Sequence, residues 1–311
     1  MEKIAILFPG QASQYVGMGK DLYESDSNVR ALYDTASNEI GEDIAKLSFE
    51  GPAEKLKETR FTQPAILLHS LAIMNIMKDN LPRATFTAGH SLGEYGALAL
   101  SGVLSPETAV KAVVCRASLM EDACRQNPGT MAAIIGLDES KIADVCKEAS
   151  EKGVVVPANY NSANQLVISG ALAGVEEACR LCKEQGAKRA MLLEVGGAFH
   201  SPLMEPAKYG MKQYLDSIEF KNPDMDVVPN VTGASEKNGD RLKELLVEQI
   251  TSPVRWYQTM KYFAQKEVDT IIEIGPGKVL SGLAKRELKD AQVQNIDTME
   301  DISNFAAVIT G

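Results

Sequence analysis

The sequence predicts an α/β protein, a parallel sheet flanked by helices and interrupted by a small β-α-β-β-α-β unit. Three observations predict it. The continuous apolar run 4–8 reads as a strand buried on both faces, the mark of a parallel sheet, and 269–274 reads as a further apolar strand. Helical segments with one apolar stripe alternate with them, most clearly over 106–126. Between Pro128-Gly129 and Gly196-Gly197, two candidate hinges, the spacing of elements changes.

In chain order, Ile4-Ala5-Ile6-Leu7-Phe8 is the first strand, closed by Pro9-Gly10. Pro64 opens a helix to about residue 79, because proline suits an early helical position. A strand over 85–88 runs into Gly89, and 94–100 is compatible with helix. Ser105-Pro106-Glu107 starts the helix that puts Ala109, Val110, Val113, Val114, Ala117 and Met120 on one stripe. The insert reads as strand 131–136, helix 139–151, strand 154–159, turn 161–164, strand 166–169, helix 174–185 and strand 189–195, the ferredoxin-like order. Residues 1–128 and 197–311 therefore form the large domain, with 129–196 inserted. Within the second part, Ser201-Pro202 opens a helix, 226–230 is strand-like, 240–249 is helical, and 269–274 is a strand ending in Gly275-Pro276-Gly277.

Composition narrows the function. A chain of 311 residues with 45% hydrophobic and 24% charged residues is ordinary globular material, which excludes disorder, collagen and coiled coil. The formal charge of −10 argues against a nucleic-acid partner. The longest apolar stretch, 66–77, is broken by His69, Ser70 and Asn75 and is too short to span a bilayer. The first apolar run is likewise too short for a signal peptide. Five cysteines show no framework spacing, and the Cys179/Cys182 pair has no second pair to complete a metal site. Ordinary thiols in a reducing, cytoplasmic compartment are expected.

The chemistry concentrates at Gly89-His90-Ser91-Leu92-Gly93. This G-x-S-x-G has a strand before it and a helix after it, the context of a nucleophile elbow in an α/β-hydrolase-like core. The glycines permit a sharp turn that exposes Ser91 Oγ beside free N–H groups able to hold an oxyanion. A serine nucleophile needs a base, and there are three histidines. His69 lies in an apolar helix and reads as a core residue. His90 sits inside the elbow and shapes the turn. His200 lies just before Ser201-Pro202, at a helix N-terminus that disfavours imidazolium, and is the candidate base.

No acid stands where a third triad member is expected. The helix ending near Gln249 leaves its last carbonyls unpaired and Pro253 stops it, so a main-chain carbonyl can orient the imidazole. Arg116 shares its helix face with Val113 and Met120 and must find a partner, either in a structural ion pair or as a clamp for a substrate carboxylate. The loop Gly10-Gln11-Ala12-Ser13-Gln14 follows the first strand at the end where α/β sheets bind ligands, and is either a plain turn or a second oxyanion donor.

These segments, with Gly197-Ala198-Phe199-His200-Ser201, Glu248-Gln249-Ile250-Thr251-Ser252-Pro253-Val254 and Glu273-Ile274-Gly275-Pro276-Gly277, occur in an order that resembles the malonyl-CoA:acyl carrier protein transacylase family over about residues 1–290. The resemblance implies Ser91 as nucleophile and His200 as base then acid, oriented by the Gln249 carbonyl. It implies Gln11 and Leu92 as oxyanion-hole donors and Arg116 as the malonyl clamp. Met120, on the Arg116 face, and Phe199, whose bulk disfavours a branched acyl group, complete the substrate site. Malonyl-CoA and acyl carrier protein are the implied partners, with ping-pong chemistry, no metal and no bound cofactor. A thioesterase, a non-catalytic binding protein and a polyketide-pathway acyltransferase are the alternatives. Docking an acidic carrier protein on an acidic enzyme calls for a basic patch, with Lys188-Arg189 or Lys278, Lys285 and Arg286 as candidates. Ala12 stands where the family often has glycine, and no consequence is expected because both are small.

Overall fold

The computed structural model describes residues 2–310. Its strands in chain order are β1 (Ile4–Phe8), β2 (Phe86–Gly89), β3 (Thr130–Ile135), β4 (Val155–Ser162), β5 (Gln165–Gly170), β6 (Arg189–Leu192), β7 (Asp226–Val227), β8 (Thr270–Ile274) and β9 (Gln292–Ile296). They form two sheets. The larger has the order β7-β2-β1-β8-β9 and is parallel throughout. The smaller has the order β4-β5-β3-β6 and is antiparallel.

Ala5, Ile6, Leu7 and Phe8 of β1 are all buried, as a central strand covered by helices on both faces requires. The helix Pro106–Gln126 is capped by Ser105, whose hydroxyl accepts the Thr108 N–H, and its expected apolar stripe is buried except for half-buried Val114. The small sheet has its own core, where Ile134, Ile142, Val145, Ile168 and Val175 pack with Cys146, Cys179 and Cys182. Those cysteines are free, and burial pushes the Cys146 thiol to about 12 and the Cys182 thiol to about 11, so they are inert packing residues at neutral pH.

Several boundaries differ from the sequence reading. The helix expected from Pro64 begins at Thr59 and ends at Met77, so the proline lies inside it. Only one hydrogen bond is lost at that point, and a helix buried along most of its length recovers the cost in packing. The strand expected over 154–159 runs on to Ser162, leaving Ala163-Asn164 as the turn. The strand expected over 189–195 stops at Leu192, and Leu193 and Val195 turn inward to line a cavity. Only Asp226 and Val227 of 226–230 pair, because Pro229 cannot donate to a ladder. No helix among the described residues is long and apolar enough to cross a membrane.

Hydrogen bonds tie the small sheet to the segments around the large one. Tyr160 N–H donates to the Val254 carbonyl at 2.9 Å, and Val254 N–H donates to Ala158 at 2.8 Å, which extends β4 with the segment just after Gln249. His90 Nε2 meets Asn161 Oδ1 at 3.0 Å. Between the sheets lies a cavity of about 470 Å³ at the carboxyl ends of β1 and β2.

Candidate active site

The elbow is built by close approach. A Cβ on Gly89 would lie 1.9 Å from the Gly93 carbonyl carbon, and one on Gly93 would lie 2.2 Å from the Phe8 carbonyl oxygen. Only glycine fits at either place. Ser91 between them has φ +52°, a left-handed conformation that costs a non-glycine residue about 1–3 kcal/mol. The surrounding bonds hold it there: Ser91 N–H donates to Asn230 Oδ1 at 2.7 Å, and Asn230 Nδ2 donates to the Gly89 carbonyl at 2.6 Å.

His200 also has positive φ, +58°, which swings its ring toward Ser91. Nδ1 lies 2.9 Å from the Gln249 carbonyl, which can only accept, so Nδ1 carries the proton. Nε2 is therefore the free acceptor, and Ser91 Oγ donates to it at 2.9 Å. Burial, then the Arg116 charge, lower the His200 pKa to about 3, keeping the ring neutral. The helix-dipole argument from sequence is not the main cause, since the turn that follows, Pro202–Met204, is a three-residue 3₁₀ turn.

Arg116 is 1% exposed and makes no ion pair among the described residues. Nη1 donates to Gln63 Oε1 at 2.6 Å, and Nη2 donates to Gln249 Oε1 at 2.9 Å and to Ser91 Oγ at 3.0 Å. Its guanidinium is thus held in a fixed plane by neutral groups beside the serine, and the ion-pair alternative does not describe it. Gln63 Nε2 points to Met120 Sδ at 3.6 Å.

The structure brings Ser91, His200, Arg116 and Gln249 into one hydrogen-bonded cluster. Gln11, Met120 and Phe199 line the cavity above it with Gln63, whereas Gln249 lies behind it. Leu92 has a buried side chain, and its N–H and that of Gln11 have no protein partner among the described residues. Met131, Val167, Leu193 and Val195 form an apolar wall, and Lys278 and Arg286 stand at the mouth. His69 is fully buried and bonds Asp297 through Nε2, as a core histidine. Ala12 has φ +79°, so the residue that replaces glycine carries a backbone cost of about 1–2 kcal/mol that its size conceals. Sequence reasoning did not identify Gln63, Asn230, Asn161 or Glu94. Of these only Glu94 carried a signal, as the acid that follows the elbow directly.

The acyl transferase domain family matches residues 6–306. A malonyl CoA-acyl carrier protein transacylase of Bacillus subtilis is 45% identical over 304 residues, 96% of each chain. An acyl carrier protein S-malonyltransferase from Vibrio cholerae superposes with a TM-score of 0.92 at 41% identity, over 97% of this chain and 99% of that one. A malonyl-transacylase solved in complex with a type II PKS acyl-carrier protein superposes with a TM-score of 0.93 at 37% identity, over 99% of this chain and 100% of that one.

Proposed function

The chain belongs to the acyl transferase family, and on that premise we propose that it transfers the malonyl group of malonyl-CoA to the phosphopantetheine thiol of acyl carrier protein, supplying extender units for fatty-acid synthesis. The observation that carries this reading is the convergence of Ser91 Oγ and His200 Nε2 on the lining of one cavity, with the buried Arg116 guanidinium donating to Ser91 Oγ. The Ser–His pair supplies acyl transfer, and an unpaired guanidinium 3.0 Å from the hydroxyl supplies the reason for an acyl group with its own carboxylate.

His200 takes the Ser91 proton on Nε2 as Oγ attacks the thioester carbonyl. The Gln11 and Leu92 N–H groups hold the oxyanion, and loss of one such donor costs about 3–4 kcal/mol in comparable sites. The imidazolium, steadied by the Gln249 carbonyl, then protonates the departing CoA thiolate and leaves malonyl-Ser91. The carrier thiol enters by the reverse steps, a ping-pong cycle without metal or bound cofactor. The apolar wall suits a pantetheine arm, and Phe199 with Met120 leaves little room for a branch at the acyl α-carbon. Residues 129–196 form a ferredoxin-like subdomain on an α/β-hydrolase-like core made of 1–128 and 197–311. The separate sheet, order and core of β3 to β6 support that division.

Because His200 is held neutral, kcat/KM for malonyl-CoA is expected to stay flat from about pH 8 down to about pH 5. An acid limb near the ordinary histidine value would contradict this. The stability sign follows: the unfolded chain takes up a proton there that the folded one refuses, so stability falls as pH drops below the unfolded histidine pKa of about 6.5.

Transfer is tested by supplying malonyl-CoA and holo-carrier protein and following malonyl-carrier and free malonate together. Malonyl-carrier as the main product supports the proposal, and malonate released at a comparable rate would mean a thioesterase. Lys278, Lys285 and Arg286 are exposed beside the cavity mouth and fit a carrier dock better than Lys188 and Arg189 on the small sheet. Charge reversal at Lys285 and Arg286 in the same assay should raise the KM for carrier and spare loading. Equal change in both half-reactions would remove this dock. The neighbour bound to a type II PKS carrier favours a second reading, service to polyketide synthesis, which carrier preference decides.

A further inference from the structure

Glu94 touches the cluster around Ser91, yet the acyl-transfer chemistry assigns it no step. It is the first residue of the helix after the elbow, a position where acids are ordinarily solvated, and it is 1% exposed. A buried carboxylate with no arginine or lysine in direct contact is accounted for by the donors it accepts from.

Its Oε2 accepts from Gln249 Nε2 at 2.7 Å and from the Asn230 N–H at 3.1 Å. Those two residues bond to Ser91, His200 and Arg116. Gln249 receives His200 Nδ1–H on its carbonyl and Arg116 Nη2 on Oε1, and its Nε2 also donates to the Ser91 carbonyl at 3.0 Å. Asn230 receives the Ser91 N–H and donates to the Gly89 carbonyl.

From this geometry we infer that Glu94 is a positioning residue, an acceptor anchor that fixes which way the Gln249 amide faces and, through Gln249 and Asn230, aligns His200, Arg116 and Ser91. The inference rests on the acyl-transfer reading. The two ends of a glutamine amide are nearly isosteric, so its surroundings choose the orientation. Glu94 Oε2 accepts, which turns Nε2 toward it and leaves Oε1 for Arg116. The reverse orientation would set oxygen against oxygen at Glu94 and NH₂ against the guanidinium. Burial raises the Glu94 carboxyl to about 7, and a proton placed on Oε1 leaves Oε2 accepting, so the anchor survives protonation. The acid missing from beside the imidazole is thus present one residue further out.

Two variants test this by the rate of malonyl-enzyme formation at saturating malonyl-CoA. Glu94→Met keeps the volume and removes the acceptor, and is expected to slow loading about 10- to 100-fold, the scale of a small misplacement of reacting groups. Glu94→Gln can still present an oxygen to both N–H groups, and is expected to stay within about 3-fold of wild type, well under 1 kcal/mol. Glu94→Met combined with Gln249→Ala should be no slower than the slower single variant by more than about 3-fold, because both remove one link. A folded Glu94→Met at wild-type rate, multiplying losses in the double variant, or a loss of about 10-fold or more in Glu94→Gln would each overturn the inference. Should Glu94→Met not fold, Glu94→Gln decides alone by the same limits. Failure of wild type to form any adduct would overturn the acyl-transfer reading itself, an outcome distinct from the others.

Discussion

His200→Asn is expected to slow malonyl loading by about 10,000-fold or more, the scale seen when one member of a serine–base unit is removed. Asparagine is chosen because it tolerates the positive φ that His200 adopts, so the backbone has no reason to rearrange. The loss follows from proton bookkeeping. Among the described residues, Ser91 Oγ has Nε2 as its only basic neighbour, and the Arg116 Nη2 beside it is a donor. Without the imidazole the hydroxyl must lose its proton to solvent, and the departing thiolate has no acid. Rapid-quench measurement of the adduct, with a thermal melt to verify folding, reads this directly. A loss under about 10-fold would mean that His200 is not the base.

Arg116→Ala is expected to cost malonyl-CoA about 1.5–3 kcal/mol in kcat/KM, roughly 10- to 150-fold, while acetyl-CoA is unaffected or improved. The difference between substrates is the decisive part. A malonyl carboxylate would exchange the neutral acceptors now on Arg116 for a charged bidentate one, whereas an acetyl group has nothing to offer the guanidinium. Equal loss for both substrates would assign Arg116 to holding Gln63 and Gln249 in place. Arg116→Lys is expected to recover little, because an ammonium cannot reproduce the fork.

The parts of this protein legible in its sequence are those where a local rule and a chemical need coincide. β1 reads as a buried parallel strand because Ile4 to Phe8 are apolar without alternation. The elbow reads as one because strand, glycine-flanked serine and helix are contiguous. Ser105 caps its helix where the rule places it. What stayed hidden depends on long-range contacts. Pro64 looks like a helix start until the turn before it is seen packed into the core. Asn230 lies 139 residues from the serine whose N–H it accepts, and no local pattern marks it. The sequence marks Glu94 only as the start of a helix-compatible segment, because nothing near it in sequence indicates that Gln249 packs against it. At Ala12 side-chain volume is the local cue, and the positive φ that carries the cost is set by the loop it sits in.

The most direct measurement is the intact mass of the enzyme after a few seconds with malonyl-CoA, followed by peptide mapping. One malonyl increment, carried by the peptide that contains residue 91 and missing when that serine is alanine, is the expected result. An unmodified wild-type mass with CoA still acylated, or the increment on any other side chain, would contradict the account.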